Sequence, residues 1–286
     1  MREFIICIRY SVEGLVYPAV TAANSKKPDG GRRRGGMFPQ ERERYSRNAL
    51  LAQVGWEGQA RWGAGRVLVV GAGGIGSAAL LYLAAAGVGR LGLVDGDRVE
   101  LSNLQRQIIH RTPDLGRRKV ASAAGSLAAL NPHCRVETFD LYLLTPAHVR
   151  EVVQGFEVVL DASDNFPTRF LVAECCWREE IPLVSAAATG WHGQLLVARP
   201  GAENPCYRCL VPEPPAAEAV PDSTQAGILG AVAGVMGCLQ AVETLKLLLG
   251  RESDLTRRLL AYDGLRGRFQ TVDRPKNPDC ELCGIR

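Results

Sequence analysis

Short apolar runs alternate with longer helical segments along most of the chain. The run from Arg66 to Val70 is rich in β-branched residues and ends at Gly71, which is typical of a parallel strand buried on both faces. Residues 75–86 are rich in alanine and leucine and are followed by Gly87, a residue type that commonly ends a helix. The patterned part of the chain therefore contains a strand, a tight turn and a helix in succession.

The same alternation continues toward the C terminus and predicts the fold class. Further strands are expected at 90–94, 135–139, 158–160, 183–187, 194–198, 258–262 and 268–272. Further helices are expected over 115–130, 146–154, 166–180 and 225–249. Strands that alternate with helices indicate an α/β fold, in which a Rossmann-like, mostly parallel sheet carries helices on both faces. The later strands are expected to extend this sheet as a mixed one.

The first 36 residues lack this pattern and end in a run of glycine and arginine. Such a composition is typical of a flexible linker. Met37 follows directly, so we expect it to be the natural start of the protein. Residues 1–36 are then a flexible or spurious extension, and residues 37–286 form a single domain.

Composition and charge limit the class of protein. Apolar residues make up 47% of the chain and charged residues 22%, as in ordinary soluble domains. The net charge of +4 suits an anionic substrate but is too mild for a typical nucleic-acid-binding domain. No apolar run reaches the roughly 18 to 20 residues that span a bilayer, and the N-terminal region lacks the apolar centre of a secretory signal. We expect a cytoplasmic protein with no nucleic acid and no membrane among its partners.

The segment GAGGIG follows the first strand and contains the G-x-G-x-x-G pattern as Gly71, Gly73 and Gly76. Glycines let the backbone turn sharply against a phosphate, and the N terminus of the next helix offers free N–H groups to the anion. Asp95 ends the second strand about 20 positions later, where an acidic residue can bind ribose hydroxyls. The pattern predicts a nucleotide site, with a packing turn as the alternative. It does not identify the nucleotide, and no G-K-[ST] sequence of a conventional phosphate loop follows it.

Polar groups suited to an anion follow two of the predicted strands. The segment from Ser102 to Arg106 supplies amide groups and a guanidinium, whose planar fork suits phosphate oxygens, and Lys119 adds a mobile charge. Asp164 and Asn165 follow a later strand, at the edge where open α/β sheets bind ligands. A carboxylate beside a triphosphate is a natural Mg²⁺ ligand. Each of these residues taken alone is more commonly a solvated surface group.

Four of the nine cysteines form two C-x-x-C pairs, Cys206 with Cys209 and Cys280 with Cys283. Each pair can present two thiolates to one tetrahedral Zn²⁺. Because the pairs are far apart in the sequence, the metal would tie the C-terminal region back onto the domain. A redox role is the alternative, and it is disfavoured because neither pair follows a strand-to-helix turn. The sequence thus predicts a closed, structural zinc knuckle with four thiolate ligands.

These motifs together resemble the ThiF/MoeB/HesA family, bacterial relatives of the ubiquitin-activating enzymes. The resemblance covers residues 44–283, in the family's order: Arg44-Tyr-Ser-Arg47, Gly58-Gln59, GAGGIG, Asp95-Gly-Asp97, SNLQRQ at 102–107, Lys119, Asn131-Pro132, Asp164-Asn165, CYRCL at 206–210, Gly234-Val-Met-Gly237 and the last cysteine pair. SNLQRQ combined with two such cysteine pairs is highly specific.

The resemblance implies an adenylation domain that binds ATP at the glycine turn. Its implied cofactor-binding residues are Gly71, Gly73, Gly74, Gly76, Asp95, Asp97, Ser102, Asn103, Leu104, Gln105 and Asn165. Asp95 would hold the ribose, and Asn103 would contact the phosphates. The implied catalytic residues are Arg106 and Lys119 at the phosphates, Asp164 as the Mg²⁺ ligand, and Arg47. Arg47 would reach into the site of the other subunit, so a homodimer is implied.

The implied substrate is a small ubiquitin-fold sulfur-carrier protein that ends in Gly-Gly, similar to ThiS or MoaD. Its terminal carboxylate would attack the α-phosphate of ATP, releasing pyrophosphate and leaving an acyl-adenylate. Two alternatives remain open on the sequence: a relative that adenylates a peptide or tRNA-borne carboxylate, and a scaffold that has lost turnover. A dehydrogenase is disfavoured because SNLQRQ has no role in hydride transfer.

The sequence departs from the family at one position. Many members carry a cysteine a few residues before an Ala-Gly pair, whereas this chain has Ser223 before Ala226-Gly227. A hydroxyl is a much poorer nucleophile than a thiolate near neutral pH. The chain, which ends at Arg286, is also expected to carry no sulfurtransferase domain. Sulfur would then come from a separate donor, such as a sulfurtransferase, that acts on the adenylate.

We predict that the chain forms an adenylate but no thioester or acyl-disulfide through position 223. Non-reducing electrophoresis after incubation with ATP and a Gly-Gly carrier should show no covalent carrier adduct. An adduct that a reducing agent releases, at Cys175, Cys176 or Cys238, would contradict the prediction, because we expect those three thiols to pack within helices.

Overall fold

The computed structural model describes residues 39–215 and 226–284. These residues are built around one eight-stranded sheet. The predicted extension at 1–36 and Ser223 both lie outside these residues. The strands are β1 (Arg66–Val70), β2 (Arg90–Val94), β3 (Arg135–Phe139), β4 (Val158–Asp161), β5 (Leu183–Thr189), β6 (His192–Ala198), β7 (Arg258–Asp263) and β8 (Arg268–Asp273). The first four expected strands have the predicted starts, and the predicted ends differ by at most one residue.

The sheet is parallel in its first part and antiparallel in its second. Its strand order is β3-β2-β1-β4-β5-β6-β7-β8. Strands β1 to β5 pair in parallel, and β6, β7 and β8 add to them in antiparallel fashion. The chain thus builds outward from β1 in both directions, and the ends of β1 and β4 flank the point where the strand order reverses. Open α/β sheets bind ligands at this point. The predicted mostly parallel sheet with a mixed extension is confirmed.

Helices cover both faces of the sheet. They are α1 (Pro39–Ala49), α2 (Gly55–Ala64), α3 (Gly74–Ala86), α4 (Lys119–Leu130), α5 (Pro146–Val153), α6 (Phe166–Arg178), α7 (Tyr207–Leu210) and α8 (Gly230–Leu248). Successive side chains of a strand point to opposite faces. In β1, Val67 and Val69 accordingly join the core formed with α3, α4 and α8, while Leu68 and Val70 join the core formed with α5 and α6.

Helix α8 is the one described helix that is long and apolar enough to cross a membrane by length and composition. It packs closely on α3, because a Cβ atom on Gly237 would overlap the carbonyl oxygen of Ile75. Its buried side chains include Val232, Met236 and Ala241, which belong to the core on that face. Packing against α3 and the sheet accounts for its apolar character.

The predicted start of the helix over 115–130 is wrong by four residues, because α4 begins at Lys119. Residues before it instead run antiparallel to the segment after β2: the Val99 amide donates to the Arg117 carbonyl and the Gly116 amide donates to the Val99 carbonyl, both at 2.9 Å. Gly116 has a φ of +79°, which favours glycine. This pairing brings Lys119 next to the residues that follow β2.

Helices α1 and α2 dock on the C-terminal end of α3 through buried side-chain amides. The Gln59 amide donates to the Ala86 carbonyl at 2.8 Å, and the Asn131 amide donates to the Ala84 carbonyl at 2.6 Å and to the Tyr45 hydroxyl at 2.8 Å. The last carbonyls of a helix receive no hydrogen bond from an N–H group of that helix, so they need donors from elsewhere. Gln59 and Asn131, which the sequence marked only as motif residues, therefore cap α3 and anchor α1.

We predict that Asn131→Ala lowers the free energy of unfolding by about 1–3 kcal/mol, because the buried Tyr45 hydroxyl loses its partner and the Ala84 carbonyl keeps only the Gly87 amide as a donor. Urea denaturation followed by circular dichroism measures this change. Gln270→Ala on the exposed edge strand β8 is the control, and we expect it to change stability by less than about 0.5 kcal/mol. Equal effects of the two substitutions would show that Asn131 has no capping role.

Candidate functional site

The glycine turn lies where the C-terminal ends of β1, β2 and β4 meet. Gly71 has a φ of +100°, and a Cβ atom there would approach the Ala162 carbonyl oxygen to 2.8 Å. A Cβ atom on Gly76 would overlap the Gly71 carbonyl oxygen. These two glycines are therefore required by sterics, and Gly73 and Gly74 form the N-terminal boundary of α3. The first amides of a helix lack acceptors within it, so the turn presents N–H donors and the positive end of a dipole.

The backbone of Ala72, in the middle of this turn, is held on both sides. Its amide donates to Asp95 Oδ2 at 2.8 Å, and its carbonyl accepts from His110 Nε2 at 3.0 Å. Since a carbonyl can only accept, Nε2 carries the proton, and Nδ1 accepts from the Ser122 hydroxyl at 2.9 Å. Burial lowers the pKa of His110, which favours this neutral form. Sequence reasoning missed His110, whose only signal is its place just after the SNLQRQ motif.

Two carboxylates and one lysine meet beside the turn. Lys119 Nζ lies 2.7 Å from Asp97 Oδ2 and 4.0 Å from Asp95 Oδ2. Lys119 and Asp95 are largely buried, whereas the Asp97 side chain is half exposed. Burial raises the pKa of Asp95, and the Lys119 charge offsets this only in part. The structure thus brings together three residues that the sequence assigned to nucleotide binding.

Tyr142 is a further member of this group that the sequence did not reveal. Its hydroxyl donates to Asp97 Oδ1 at 2.8 Å, and its ring covers Gly96, where a Cβ atom would lie 2.8 Å from Tyr142 Cδ2. Burial raises the pKa of Asp97, but the hydrogen bonds from Lys119 and Tyr142 outweigh it and lower that pKa below its ordinary value. Asp97 is therefore an anion that holds the lysine in place.

The SNLQRQ segment folds over the N terminus of α3. A short 3₁₀ turn spans Leu101–Asn103, and the buried Asn103 Oδ1 accepts from the Glu100 amide at 3.0 Å. Arg106 follows, and its Cγ would lie 3.3 Å from a Cβ atom on Gly74. The stem of Arg106 therefore lies against the first residue of α3, and Nη1 of its guanidinium donates to the Ser102 carbonyl at 3.1 Å.

The remaining members of this segment have other surroundings. Ser102 is exposed and Leu104 is half-buried. Gln105 Nε2 lies 3.5 Å from the Ile228 carbonyl oxygen. The backbone carbonyl of Gln105 contacts the start of α8, because a Cβ atom on Gly230 would lie 2.5 Å from its oxygen. The segment is thus fixed between the glycine turn and α8.

Asp164 and Asn165 follow β4 on the other side of the turn. Asp164 is exposed, and its Oδ1 lies 3.5 Å from the Asn165 amide nitrogen. Asn165 Oδ1 accepts from the Thr168 amide at 2.9 Å and caps α6, so this oxygen has a structural partner. An exposed carboxylate at this edge has the oxygen donors that Mg²⁺ prefers.

Arg47 stands apart from these groups. It lies in the last turn of α1 and is exposed, with no hydrogen bond or ion pair to another described residue. Helix α1 packs at the opposite end of α3 from the glycine turn, with the Tyr45 ring beside Gly87. A 13-residue helix is about 20 Å long, so the anchor point of α1 is remote from the turn.

The four cysteines of the two C-x-x-C pairs come together in one cluster. Sγ–Sγ distances are 4.0 Å between Cys206 and Cys209, 3.5 Å between Cys206 and Cys280, and 3.3 Å between Cys209 and Cys283. All four sulfur atoms lie within 4.8 Å of one another. Tetrahedral Zn²⁺ with bonds of about 2.3 Å separates its sulfur ligands by about 3.8 Å. The geometry and the donor set therefore fit a closed metal site.

A buried arginine links this cluster to the sheet. The Arg274 guanidinium donates to the carbonyls of Val197, Thr256, Pro205 and Cys206 at 2.6–3.2 Å. Burial lowers the pKa of Arg274 to about 10, so it stays charged at neutral pH beside the cysteine cluster. No local sequence signal marks this residue, since its partners come from three distant segments.

We predict that the cysteine cluster binds one metal ion per chain, with Zn²⁺ as the expected occupant. Metal analysis of the purified protein should find it, and Cys280→Ser should remove it and lower the unfolding temperature, because the C-terminal segment loses its tie. Cys238→Ser is the matched control, since Cys238 lies in α8 outside the cluster and should keep the metal. A Cys280→Ser protein with full metal content would refute the assignment.

Comparison with known proteins supports the resemblance suggested by the motifs. The ThiF family model matches residues 45–282. The SAMP-activating enzyme E1 of Haloferax volcanii is 49% identical over 242 residues, covering 85% of this chain and 88% of that protein. The sulfur carrier protein adenylyltransferase of Thermus thermophilus is 45% identical over 249 residues, covering 86% and 92%.

A longer relative and a solved structure add to this comparison. The adenylyltransferase and sulfurtransferase MOCS3 of Bos taurus is 48% identical over 254 residues, and the chain spans only about half of it, 55%. The structure of E. coli MccB superposes with a TM-score of 0.75 at 22% identity, covering 85% of this chain and 72% of that one, which shows a shared fold. The chain belongs to the ThiF family and is an enzyme of its adenylyltransferase class.

Proposed function

We propose that this chain uses ATP and Mg²⁺ to adenylate the C-terminal Gly-Gly carboxylate of a small ubiquitin-fold sulfur carrier, with release of pyrophosphate. Two relatives with matched lengths are named for carrier activation, the SAMP-activating enzyme E1 and the sulfur carrier protein adenylyltransferase. The proposal rests mainly on one observation: a glycine turn at a helix N terminus lies beneath Arg106 and beside Lys119 and the loop that carries Asp164.

The reaction needs positive charge more than it needs a nucleophile. A carboxylate and a triphosphate repel each other, and charge develops at the α-phosphate as the carboxylate attacks. The α3 amides, Arg106 and Lys119 supply fixed positive charge around the turn. Mg²⁺, held by Asp164, would neutralise phosphate oxygens and favour the departure of pyrophosphate. Positioning and electrostatics then account for the adenylation step without a covalent enzyme intermediate.

Lys119 is paired with a carboxylate of the same chain. Its ammonium lies 2.7 Å from Asp97, which Tyr142 fixes from the other side at 2.8 Å. An incoming phosphate oxygen would share this ammonium with Asp97. Because three donors are available on an ammonium, the lysine can contact a phosphate without leaving its carboxylate. The pair thereby keeps a long, flexible side chain aimed at the turn.

Arg47 is proposed to act in the site of a second copy of the chain, in a homodimer. It is exposed and makes no described contact, and its helix is anchored at the far end of α3. Such an arginine adds charge at the phosphates only from a neighbouring subunit. The proposed Zn²⁺ at the cysteine cluster has a structural part in this reaction, since four thiolates leave no position for substrate.

ATP–pyrophosphate exchange in the presence of candidate carriers tests this function. We expect exchange with a carrier that ends in Gly-Gly and none with the same carrier lacking its last glycine. Arg106→Ala should reduce exchange by about 100-fold or more, because one charged donor at a transition state contributes on that scale. Circular dichroism checks that the variant remains folded.

Arg135→Ala is the matched control, because Arg135 begins β3 and lies at the opposite edge of the sheet, about 16 Å away along the strands. It should exchange like the unchanged protein. Exchange by Arg106→Ala at the control rate would show that the phosphate assignment is wrong. Absence of exchange with every Gly-Gly carrier would refute the proposed function.

A further inference from the structure

A buried carboxylate lies directly behind the loop that carries Asp164. Asp161 is the last residue of β4 and is 1% exposed. Its Oδ1 accepts from the Ser163 amide at 3.1 Å and from the Ser163 hydroxyl at 2.5 Å. Its Oδ2 accepts from the Ser185 hydroxyl of β5 at 2.8 Å. One side chain thus connects the loop after β4 to the neighbouring strand.

Ser163, the residue before Asp164, is held from two directions. Asp161 binds its amide and hydroxyl, and Arg169 Nη2 of α6 donates to its carbonyl at 2.6 Å. A residue with its amide, hydroxyl and carbonyl all engaged has little freedom to rotate. The direction in which the chain enters Asp164 is therefore set by Asp161 and Arg169.

The same loop touches the glycine turn. A Cβ atom on Gly71 would lie 2.8 Å from the Ala162 carbonyl oxygen, so the two backbones are in direct contact. The Ala162 amide donates to the Val70 carbonyl at 2.9 Å, which ties the loop to the end of β1. Gln240 of α8 holds the Asp161 carbonyl at 2.8 Å and the Val184 carbonyl at 2.9 Å. Asp161 therefore belongs to the connection between the loop that carries Asp164 and the glycine turn.

Ion pairing does not explain this carboxylate. Among the ion pairs of the described residues, none includes Asp161. Its charge is stabilised by one amide and two hydroxyls, which is the way a buried carboxylate without a cation is satisfied. An apolar residue would fill the space at less cost in desolvation. A carboxylate here is best explained by its ability to hold two separate segments, one with each oxygen.

We propose that Asp161 is a positioning residue for Asp164, and that it fixes the distance between the Mg²⁺-binding carboxylate and the phosphates at the glycine turn. This inference rests on the proposed function for the identity of the ligand, MgATP. Residues that orient metal ligands from behind typically contribute 10- to 100-fold to metal affinity. Asp161 then acts on Mg²⁺ without touching it.

The positioning role can be tested without any carrier. Calorimetry measures ATP binding to the protein at a series of Mg²⁺ concentrations. Asp161→Asn keeps one side-chain acceptor oxygen and loses the other. Ser163→Ala keeps the hydrogen bond from the backbone amide of residue 163 to Asp161 and loses the hydrogen bond from the hydroxyl. We expect both to raise the Mg²⁺ concentration for half-maximal ATP binding, by about 10-fold for Asp161→Asn. ATP affinity without Mg²⁺ should stay within about two-fold of the unchanged protein, because the glycine turn and Arg106 remain.

Glu243→Gln is the matched control. Glu243 is another buried carboxylate that accepts from a serine hydroxyl, Ser253 at 2.5 Å, but it lies near the far end of α8, about 20 Å along the helix from Gly230. It should lower stability without a change in the Mg²⁺ requirement. A merely structural Asp161 would behave in the same way.

The outcomes separate the two proposals. The unchanged protein could show no exchange with any carrier, while Asp161→Asn still impairs Mg²⁺-dependent ATP binding. This result would support the positioning role and refute the carrier function. Full exchange with an unchanged Mg²⁺ requirement in both Asp161→Asn and Ser163→Ala would refute the positioning role alone. If Asp161→Asn does not fold, the unchanged Mg²⁺ requirement of Ser163→Ala is sufficient to refute it.

Discussion

The close approach of two backbones at the end of β1 is the constraint on which the site depends. Gly71 and Gly76 have no room for a Cβ atom, since the Ala162 and Gly71 carbonyls occupy that space. A turn this tight exposes helix amides toward a ligand, but it leaves the Ala72 amide and carbonyl in need of partners. Asp95 and His110 provide them, so a carboxylate and a neutral imidazole hold the turn from opposite sides.

That constraint extends into the rest of the molecule through α3. Its N terminus is the ligand-facing end, and its C terminus is capped by Gln59 and Asn131, which anchor α1 and α2. Its flank meets α8 at Gly237, and the start of α8 meets the SNLQRQ segment at Gly230. The helix therefore connects the turn, the segment that carries Arg106 and the N-terminal helices. Glycines appear at these contacts because helices and loops approach each other more closely there than side chains allow.

The sheet and the glycine turn were predictable from sequence because both arise from local patterns: short β-branched runs, a stop at glycine, and a helix after it. Lys119 shows where local pattern fails. Residues 115–118 have helical composition, yet they pair with the strand-like segment at 97–99, and this tertiary contact moves the helix start to Lys119. His110, Tyr142 and Arg274 escaped prediction for the same reason, since their partners are distant in the sequence. Their chemistry exists only after the sheet has formed.

Several carboxylates line the edge of the sheet at which an anionic ligand is proposed to bind. Asp95, Asp97 and Asp161 all lie near the glycine turn, and three free carboxylates would repel a triphosphate. Each has its own hydrogen-bond donors in the protein instead: Asp97 has Lys119 and Tyr142, Asp95 has two backbone amides and the more distant lysine, and Asp161 has two serines and an amide. Asp164 differs from the other three because it is exposed, with only a neighbouring side-chain amide at 3.5 Å. Of these four carboxylates, Asp164 is therefore the one best placed to take a divalent cation together with the ligand.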